Sequence, residues 1–220
     1  MKIFVTKFAS FRPTLENPSE MPKLEYVDSL FRRRLSQITR MTIEVVHKII
    51  EDDSEKATLK LVFSSFRGEI ARQLKINKGL VEDADVMPAQ FSISVFNTAP
   101  AAATIALKMK AGYTAIFPAQ DKFSSALLAA ASGILSGSEQ SLIFAYADEK
   151  IPEEYAECAS YTEDLPLAFA CVFSSQKTED SVELSLEESE LSKIAASPAK
   201  FLSYLESAFM VKINGFTERN

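Results

Sequence analysis

Two cysteines, one histidine and a pair of serines are the candidates for nucleophilic or acid–base chemistry in this 220-residue chain. Cys171 lies within an apolar run, where burial raises the pKa of a thiol and makes it unreactive. Cys158 has neither a nearby candidate base nor a metal-ligand spacing. His47 falls inside a helical apolar pattern, where a lone histidine is more often structural than catalytic. Since Ser124 and Ser125 also lack a G-x-S-x-G context, we expect no catalytic nucleophile, metal or cofactor.

The elements that would position reactive groups alternate between strands and helices. A mixed or mainly parallel sheet with helices on both faces, in one domain of residues 1–220, is the prediction. The predicted strands are Lys2–Ala9, Leu59–Phe63, Tyr113–Phe117, Ser141–Tyr146 and Leu165–Ser174, with Val182–Leu186 a further candidate. The predicted helices are Ser29–Glu51, Gly68–Leu80, Pro88–Pro100, Pro100–Gly112, Phe123–Leu135 and Pro198–Ser207.

Composition excludes several classes of function. A net charge of −6 and a pI near 5.0 argue against a nucleic-acid partner. No apolar run approaches the ~20 residues that a membrane span needs. The N-terminal MKIFVTKF is typical of a strand rather than a signal peptide. We therefore expect a cytoplasmic protein with reduced cysteines.

A short loop between the predicted strand Tyr113–Phe117 and the Ala-rich helix that begins near Phe123 is the most informative segment. Pro118 ends the strand, and Ala119, Gln120 and Asp121 follow. Many α/β enzymes place a nucleophile at such a strand-to-helix turn, but the carboxamide of Gln120 is not a nucleophile.

Four segments resemble the short, chain length factor-like β-ketoacyl synthases of aryl polyene clusters. They are RRRLSQITRM (Arg32–Met41), FSSFRGEIARQL (Phe63–Leu74), PAQFSISVFN (Pro88–Asn97), and the Gln120 loop with FSSALLAAA (Phe123–Ala131). The resemblance spans roughly residues 1–175 and implies a thiolase-like half-fold, with a mixed five-stranded sheet and helices on both faces. Counting back from Gly137, the turn that ends the helix in that family, places Gln120 where the family has its cysteine.

The resemblance implies a subunit that is not an enzyme. Gln120 is not a nucleophile, and the two catalytic histidines of the second half of a full condensing enzyme are not among these residues. The expected function is that of a chain length factor in polyketide-like or fatty-acid-like synthesis of a polyene. Such a subunit forms a heterodimer with a full-length ketosynthase and meets the acyl carrier protein indirectly.

The resemblance also suggests site residues. The candidates for the acyl tunnel or the subunit interface are Phe96, Asn97, Thr98, Tyr113, Phe117 and Phe123. Phe96 stands where the family often has a histidine. The basic run Arg32, Arg33 and Arg34 is a candidate docking surface for a carrier protein or partner, or simply a solvated face.

Several alternatives stay open at this point. Gln120 could cap the following helix or fill the former pocket, and Phe91 and Val95 are expected to pack in the core. The whole chain could instead be a homodimeric pseudoenzyme that binds an acyl ligand, or an enzyme of another type on the half-fold.

Overall fold

Six strands form one mixed sheet in the computed structural model, which describes residues 1–155, 157 and 165–217. The strands are β1 (Lys2–Phe11), β2 (Lys60–Ser64), β3 (Tyr113–Ile116), β4 (Ser141–Asp148), β5 (Leu167–Ser174) and β6 (Val182–Ser185). Their order in the sheet is β3-β2-β4-β5-β1-β6. Strand β2 is parallel to β3 and β4, whereas β5 is antiparallel to both β4 and β1. The expectation of five strands was wrong, because β6 pairs antiparallel with the first half of β1.

Helices cover both faces of this sheet, as predicted. Within the described residues they are α1 (Ser29–Arg32), α2 (Gln37–Ile50), α3 (Ile70–Asp83), α4 (Pro88–Phe91), α5 (Thr98–Ala106), α6 (Phe123–Leu135), α7 (Glu188–Ile194) and α8 (Pro198–Thr217). Helices α2 and α5 pack on one face, and α6 and α8 on the other. Among the described residues, no helix combines the length and apolarity needed to cross a bilayer.

Strand β4 lies at the centre of the core and is buried on both faces, as expected of a parallel strand between helical layers. Its alternate side chains divide between the two layers. Leu142, Phe144 and Tyr146 face α6 and α8, and Ile143, Ala145 and Ala147 face α2 and α5. The sheet therefore stabilises two separate apolar layers and holds its strand ends in fixed register.

Two predicted helices are interrupted. The segment Ser29–Glu51 contains two helices, because the Ser36 hydroxyl accepts a hydrogen bond from the amide of Thr39 at 3.3 Å and begins a new helix there. In the segment Pro88–Pro100, the first helix ends at Phe91, residues 92–97 are not helical, and α5 begins at Thr98. The connection between α4 and α5 consequently turns toward the end of the sheet instead of packing along it.

Candidate functional site

The edge strand β3 defines one side of the candidate site. In the part of the chain that the structure describes, β3 pairs only with β2, so its outer edge has no strand neighbour. The register aligns Leu61 with Tyr113 and Ser64 with Ile116, which brings the carboxyl ends of both strands together. The next residue, Phe117, has 58% of its surface exposed. An apolar ring thus stands beside an open sheet edge, a combination typical of a surface that another chain covers.

Gln120 occupies a left-handed turn directly after this strand. Its φ and ψ are 54° and 33°, a conformation that costs a non-glycine residue roughly 1–2 kcal/mol. Ser125 holds the turn, since its hydroxyl accepts a hydrogen bond from the Ala119 amide at 2.7 Å and donates one to the Lys122 carbonyl at 2.8 Å. The Gln120 side chain is exposed, and no side chain caps the start of α6. The capping alternative for Gln120 is therefore wrong.

Phe96 covers the carboxyl ends of β2 and β3. Its ring centroid lies 6.2 Å from that of Phe63 and 6.1 Å from that of Phe117, the latter pair being T-shaped. Gly68 makes this position available, because a Cβ at that residue would lie only 3.1 Å from the Phe96 ring. The half-buried Phe96 ring therefore joins the β2 end of the core to the exposed Phe117.

Asn97, Thr98 and Tyr113 form the adjoining wall. The Asn97 amide donates a hydrogen bond to the Tyr113 hydroxyl at 2.9 Å, which ties the start of α5 to the start of β3. The Thr98 hydroxyl oxygen is buried and has no hydrogen-bond partner among the described residues. This wall is polar at its surface, in contrast to the aromatic pair beside it.

The family model for the N-terminal domain of β-ketoacyl synthases matches residues 9–208 of this chain. The chain belongs to that family. A comparison with curated proteins by sequence found no match.

Solved structures with the same fold include ketosynthase complexes. One chain of the ketosynthase ApeO in complex with its chain length factor ApeC from Xenorhabdus doucetiae is 18% identical with a TM-score of 0.68, over 80% of each chain. The ishigamide ketosynthase/chain length factor gives 11% identity and a TM-score of 0.63, over 79% of this chain and 62% of that one. A β-ketoacyl synthase from Burkholderia phymatum STM815 gives 12% identity and a TM-score of 0.53, over 71% of this chain and 46% of that one. At these identities the likeness establishes the thiolase-like ketosynthase fold.

The predicted site residues of this β-ketoacyl synthase domain lie in three places: beside β3, inside the core, and at the end of α1. Phe96 and Phe117 are in contact, and Gln120 follows Phe117 in the same strand-to-helix connection. Phe123 is 1% exposed and lies inside the core, with its ring 5.3 Å from Tyr146 in a T-shaped pair. It therefore anchors α6 below the turn.

The basic run lies elsewhere, at the end of α1. The Arg32 guanidinium donates hydrogen bonds to the carbonyls of Lys23 and Leu24, so it holds the preceding loop. Arg33 and Arg34 are exposed. The run therefore divides into one structural arginine and two exposed ones.

Phe91 and Val95 do not pack in the core, contrary to the prediction. They are 58% and 45% exposed, because the helix ends at Phe91 and the turns that follow leave both side chains on the outer surface. Ile105 on the neighbouring α5 is 67% exposed. The exposed apolar side chains therefore form two regions, one at Phe117 and one on the outer side of α5. The α4–α5 connection borders both regions.

A buried acidic group at the end of β4 was not predicted from the sequence. Asp148 accepts hydrogen bonds from the Ser65 hydroxyl at 2.6 Å and the Arg67 amide at 3.1 Å, and Tyr146 also donates to it. Burial raises the pKa of the Asp148 carboxyl, although these hydrogen bonds oppose the rise. The available signal was the sequence Ala147-Asp148-Glu149 at the carboxyl end of a fully apolar strand.

Glu149, the next residue, is 3% exposed and accepts a hydrogen bond from the Ala71 amide at 3.0 Å. Burial, and then the neighbouring carboxylate of Glu69, raise the pKa of Glu149 to about 7. Glu69 is itself held by Ser36 and Thr39 at 2.6 Å each, and by Arg72 at 3.0 Å. This network fixes the start of α3 against α2.

The remaining candidates for chemistry are structural. The His47 ring stacks on Tyr26 with centroids 3.7 Å apart and faces Glu51 on its own helix. Cys171 is buried within β5, as predicted, and burial raises the pKa of its thiol far above its usual range. Cys158 lies outside the described residues. Among those that are described, no cluster of His, Cys, Asp and Glu could hold a metal ion.

Proposed function

We propose that this chain is a non-catalytic, chain length factor-like subunit that pairs with a full-length ketosynthase and shapes its acyl tunnel. The observation that carries the proposal is Gln120, an exposed carboxamide on a strained turn at the place where the family resemblance puts the nucleophile. A carboxamide cannot form an acyl-enzyme, although Gln120 lies in a strand-to-helix turn of the kind that presents a nucleophile. The geometry thus supports a site that faces a partner and does no chemistry of its own.

The unpaired edge of β3 supports the pairing. An exposed strand edge offers a row of backbone groups to a second sheet, and the exposed Phe117 ring lies at its end. Stable partners bury large, complementary surfaces in which aromatic side chains are enriched. We therefore expect β3 and Phe117 to lie in the interface of a heterodimer in the cytoplasm.

Phe96 is the proposed limit on acyl chain length. Its ring is half-buried between Phe63 and Phe117, so it has a fixed position beside the proposed interface. A bulky side chain that borders a closely packed tunnel limits how far a growing chain extends, because the volume is already occupied. Asn97, Thr98 and Tyr113 are proposed as the adjoining wall.

Arg33 and Arg34 are proposed for an indirect role with the carrier protein. Their charge is exposed on a chain with a net charge of −6, so they offer a local attraction for an acidic partner. Arg32 contributes by holding the loop below them.

Co-expression with the ketosynthase encoded nearest this gene tests the pairing. We expect a one-to-one complex that survives gel filtration and that Phe117→Asp disrupts, since the charge would be desolvated in the interface. Met210→Asp is the control, because Met210 is 66% exposed on α8, a helix that contacts β6 at the opposite edge of the sheet from β3. Equal complex formation by both variants, or a dimer of this chain that excludes the ketosynthase, would contradict the proposal and favour the homodimer alternative.

Product analysis tests the tunnel role. In the complex, Phe96→Ala should shift the products toward longer chains, as read by mass spectrometry of the released acids. Phe8→Ala removes another half-buried ring, one that packs on Phe209 at 4.9 Å, and should leave product length unchanged. Unchanged products with Phe96→Ala would refute the role of Phe96, and condensation of acyl and malonyl thioesters by this chain alone would refute the non-catalytic assignment.

A further inference from the structure

A groove on the α1, α3 and α5 side of the molecule has one basic end and one apolar end. The basic end is a cleft of about 870 Å³ between the α1–α2 connection, α3 and the residues after β4. The apolar end is a pocket of about 300 Å³ beside α5. Both ends share Arg34, Leu35, Arg72 and Ile93 in their walls, so they adjoin each other at these four residues.

The basic end carries cations that the described part of the chain leaves without ion pairs. Arg33, Arg34, Lys75 and Lys150 line it, and no carboxylate among the described residues lies within ion-pair distance of their side chains. Solvated cations are ordinary on a surface, but here they converge on one concave cleft of an acidic protein. Glu149 and Glu153 also line the cleft, but with Arg72 the cations outnumber the carboxylates five to two. A concave site with an excess of one sign of charge attracts ligands of the opposite sign.

Arg72 stands at the junction of the two ends in a fixed orientation. Its Nε donates to Glu69 at 3.0 Å, and its terminal nitrogen donates to the Arg34 carbonyl at 2.9 Å. Glu69 is 1% exposed, so the guanidinium is held from beneath by a buried carboxylate. A pre-positioned guanidinium loses little side-chain freedom when it binds a carboxylate.

The other end of the groove is lined by hydrocarbon. Its apolar lining residues include Phe31, Leu35, Ile93, Val95, Ala101 and Ile105, and the polar residues Thr39, Ser92, Asn97 and Thr98 complete its walls. Its volume lies at the lower end of the range for ligand pockets, which suits a medium-length chain better than a long one. The exposure of Val95 and Ile105 means that apolar surface stays in contact with water when the pocket is empty.

We propose that this groove binds a medium-chain acyl carboxylate, with the carboxylate at Arg34 and Arg72 and the chain in the pocket beside α5. Charge complementarity at one end and apolar walls at the other select an amphipathic anion over a simple anion or a neutral lipid. The ligand carries a free carboxylate, so it differs from a carrier-bound thioester. The proposal does not depend on a ketosynthase partner, because every residue that it uses lies in this chain.

Titration of the full-length chain with octanoate by calorimetry tests the proposal, with acetate as the head group alone and 1-octanol as the chain alone. Arg34→Gln should weaken octanoate binding about tenfold, which is the change expected for about 1.4 kcal/mol. Ala101→Phe should abolish it by filling the pocket. Arg12→Gln and Ala129→Phe make the same chemical changes at exposed positions outside the groove and should bind like the wild type.

The outcomes separate cleanly. Octanoate binding that is tighter than that of acetate or octanol, and that is lost only in the two groove variants, supports the site. No octanoate binding, equal binding by all variants, or acetate binding as tightly as octanoate overturns it. Circular dichroism checks that each variant is folded, and Arg34→Met, which removes the charge and keeps an unbranched side chain, replaces Arg34→Gln if the latter does not fold.

Discussion

Compared with the wild type, the Glu149→Gln variant should become progressively more stable as the pH rises from 5 to 8. The Glu149 carboxyl is 3% exposed, and its pKa rises from the ordinary 4.5 to about 7. Burial is the main cause, and the Glu69 carboxylate adds to it, while the amides of Ala71 and Ile38 and the charge of Arg72 oppose it. The folded state therefore favours the protonated carboxyl.

The sign of the effect follows from linkage. A carboxyl with a raised pKa stabilises the fold fully below the unfolded value of 4.5, and this contribution is lost as the pH rises toward about 7. At 1.36 kcal/mol per unit of pKa, the full loss is about 3 kcal/mol. About 2 kcal/mol of it should appear between pH 5 and pH 8, since part of the change is complete below pH 5.

Glutamine keeps an oxygen for the Ala71 amide and carries no charge, so the variant lacks this pH-dependent loss. Asp148 is present in both proteins, so its contribution to the pH dependence of stability cancels when the two are compared. The difference in melting temperature between Glu149→Gln and the wild type should therefore grow by about 4–8 °C from pH 5 to pH 8 for a protein of this size.

Thermal unfolding followed by circular dichroism at four pH values measures this difference. Glu188→Gln, a change at an exposed carboxyl on α7, is the matched control and should follow the wild type at every pH. A constant offset between Glu149→Gln and the wild type would refute the reasoning, because it would mean that Glu149 ionises in the folded state as it does in the unfolded chain.

Three further perturbations test the geometry around the site. Gly68→Ala should destabilise the fold by roughly 1–2 kcal/mol, because Gly68 has a φ of +57° and its Cβ would press on the Phe96 ring; urea unfolding with an unchanged midpoint would contradict this. Phe123→Ala should cost about 3–5 kcal/mol, since it empties the centre of the aromatic layer, and a loss below 1 kcal/mol by the same measurement would place that ring outside the core. Gln120→Cys should react with a thiol reagent much faster than Cys171 in the native protein, as read by mass spectrometry of the labelled peptides, because only position 120 is exposed; equal rates would show that the turn is covered.

The sequence predicted the elements with strong periodicity and missed those set by distant partners. β5 and α6 were found because their apolar runs are long and bounded by turn residues. Phe91 and Val95 were expected in the core because their spacing is helical, but the helix ends at Phe91 and both side chains are exposed.

The candidate site shows the same division. Gln120 was identified from its place between a strand and a helix, and its left-handed backbone agrees with a turn that presents a side chain. The buried carboxyls Asp148 and Glu149 were not identified, because their burial depends on Ser65, Ala71 and other groups far away in sequence. The residues next to Asp148 and Glu149 in the sequence do not indicate these partners, because only the folded sheet brings them into contact.

The contact between Gly68 and Phe96 also limits how this protein can change over evolution. A Cβ at position 68 would lie 3.1 Å from the Phe96 ring, and the φ of +57° strains any side chain there. A residue larger than glycine at 68 therefore costs less once position 96 has become smaller. The two positions should therefore be substituted in a fixed order, and they should covary among relatives. Glycine at 68 is expected wherever an aromatic ring stands at 96, so one position in a new homologue's sequence predicts the size of the side chain at the other.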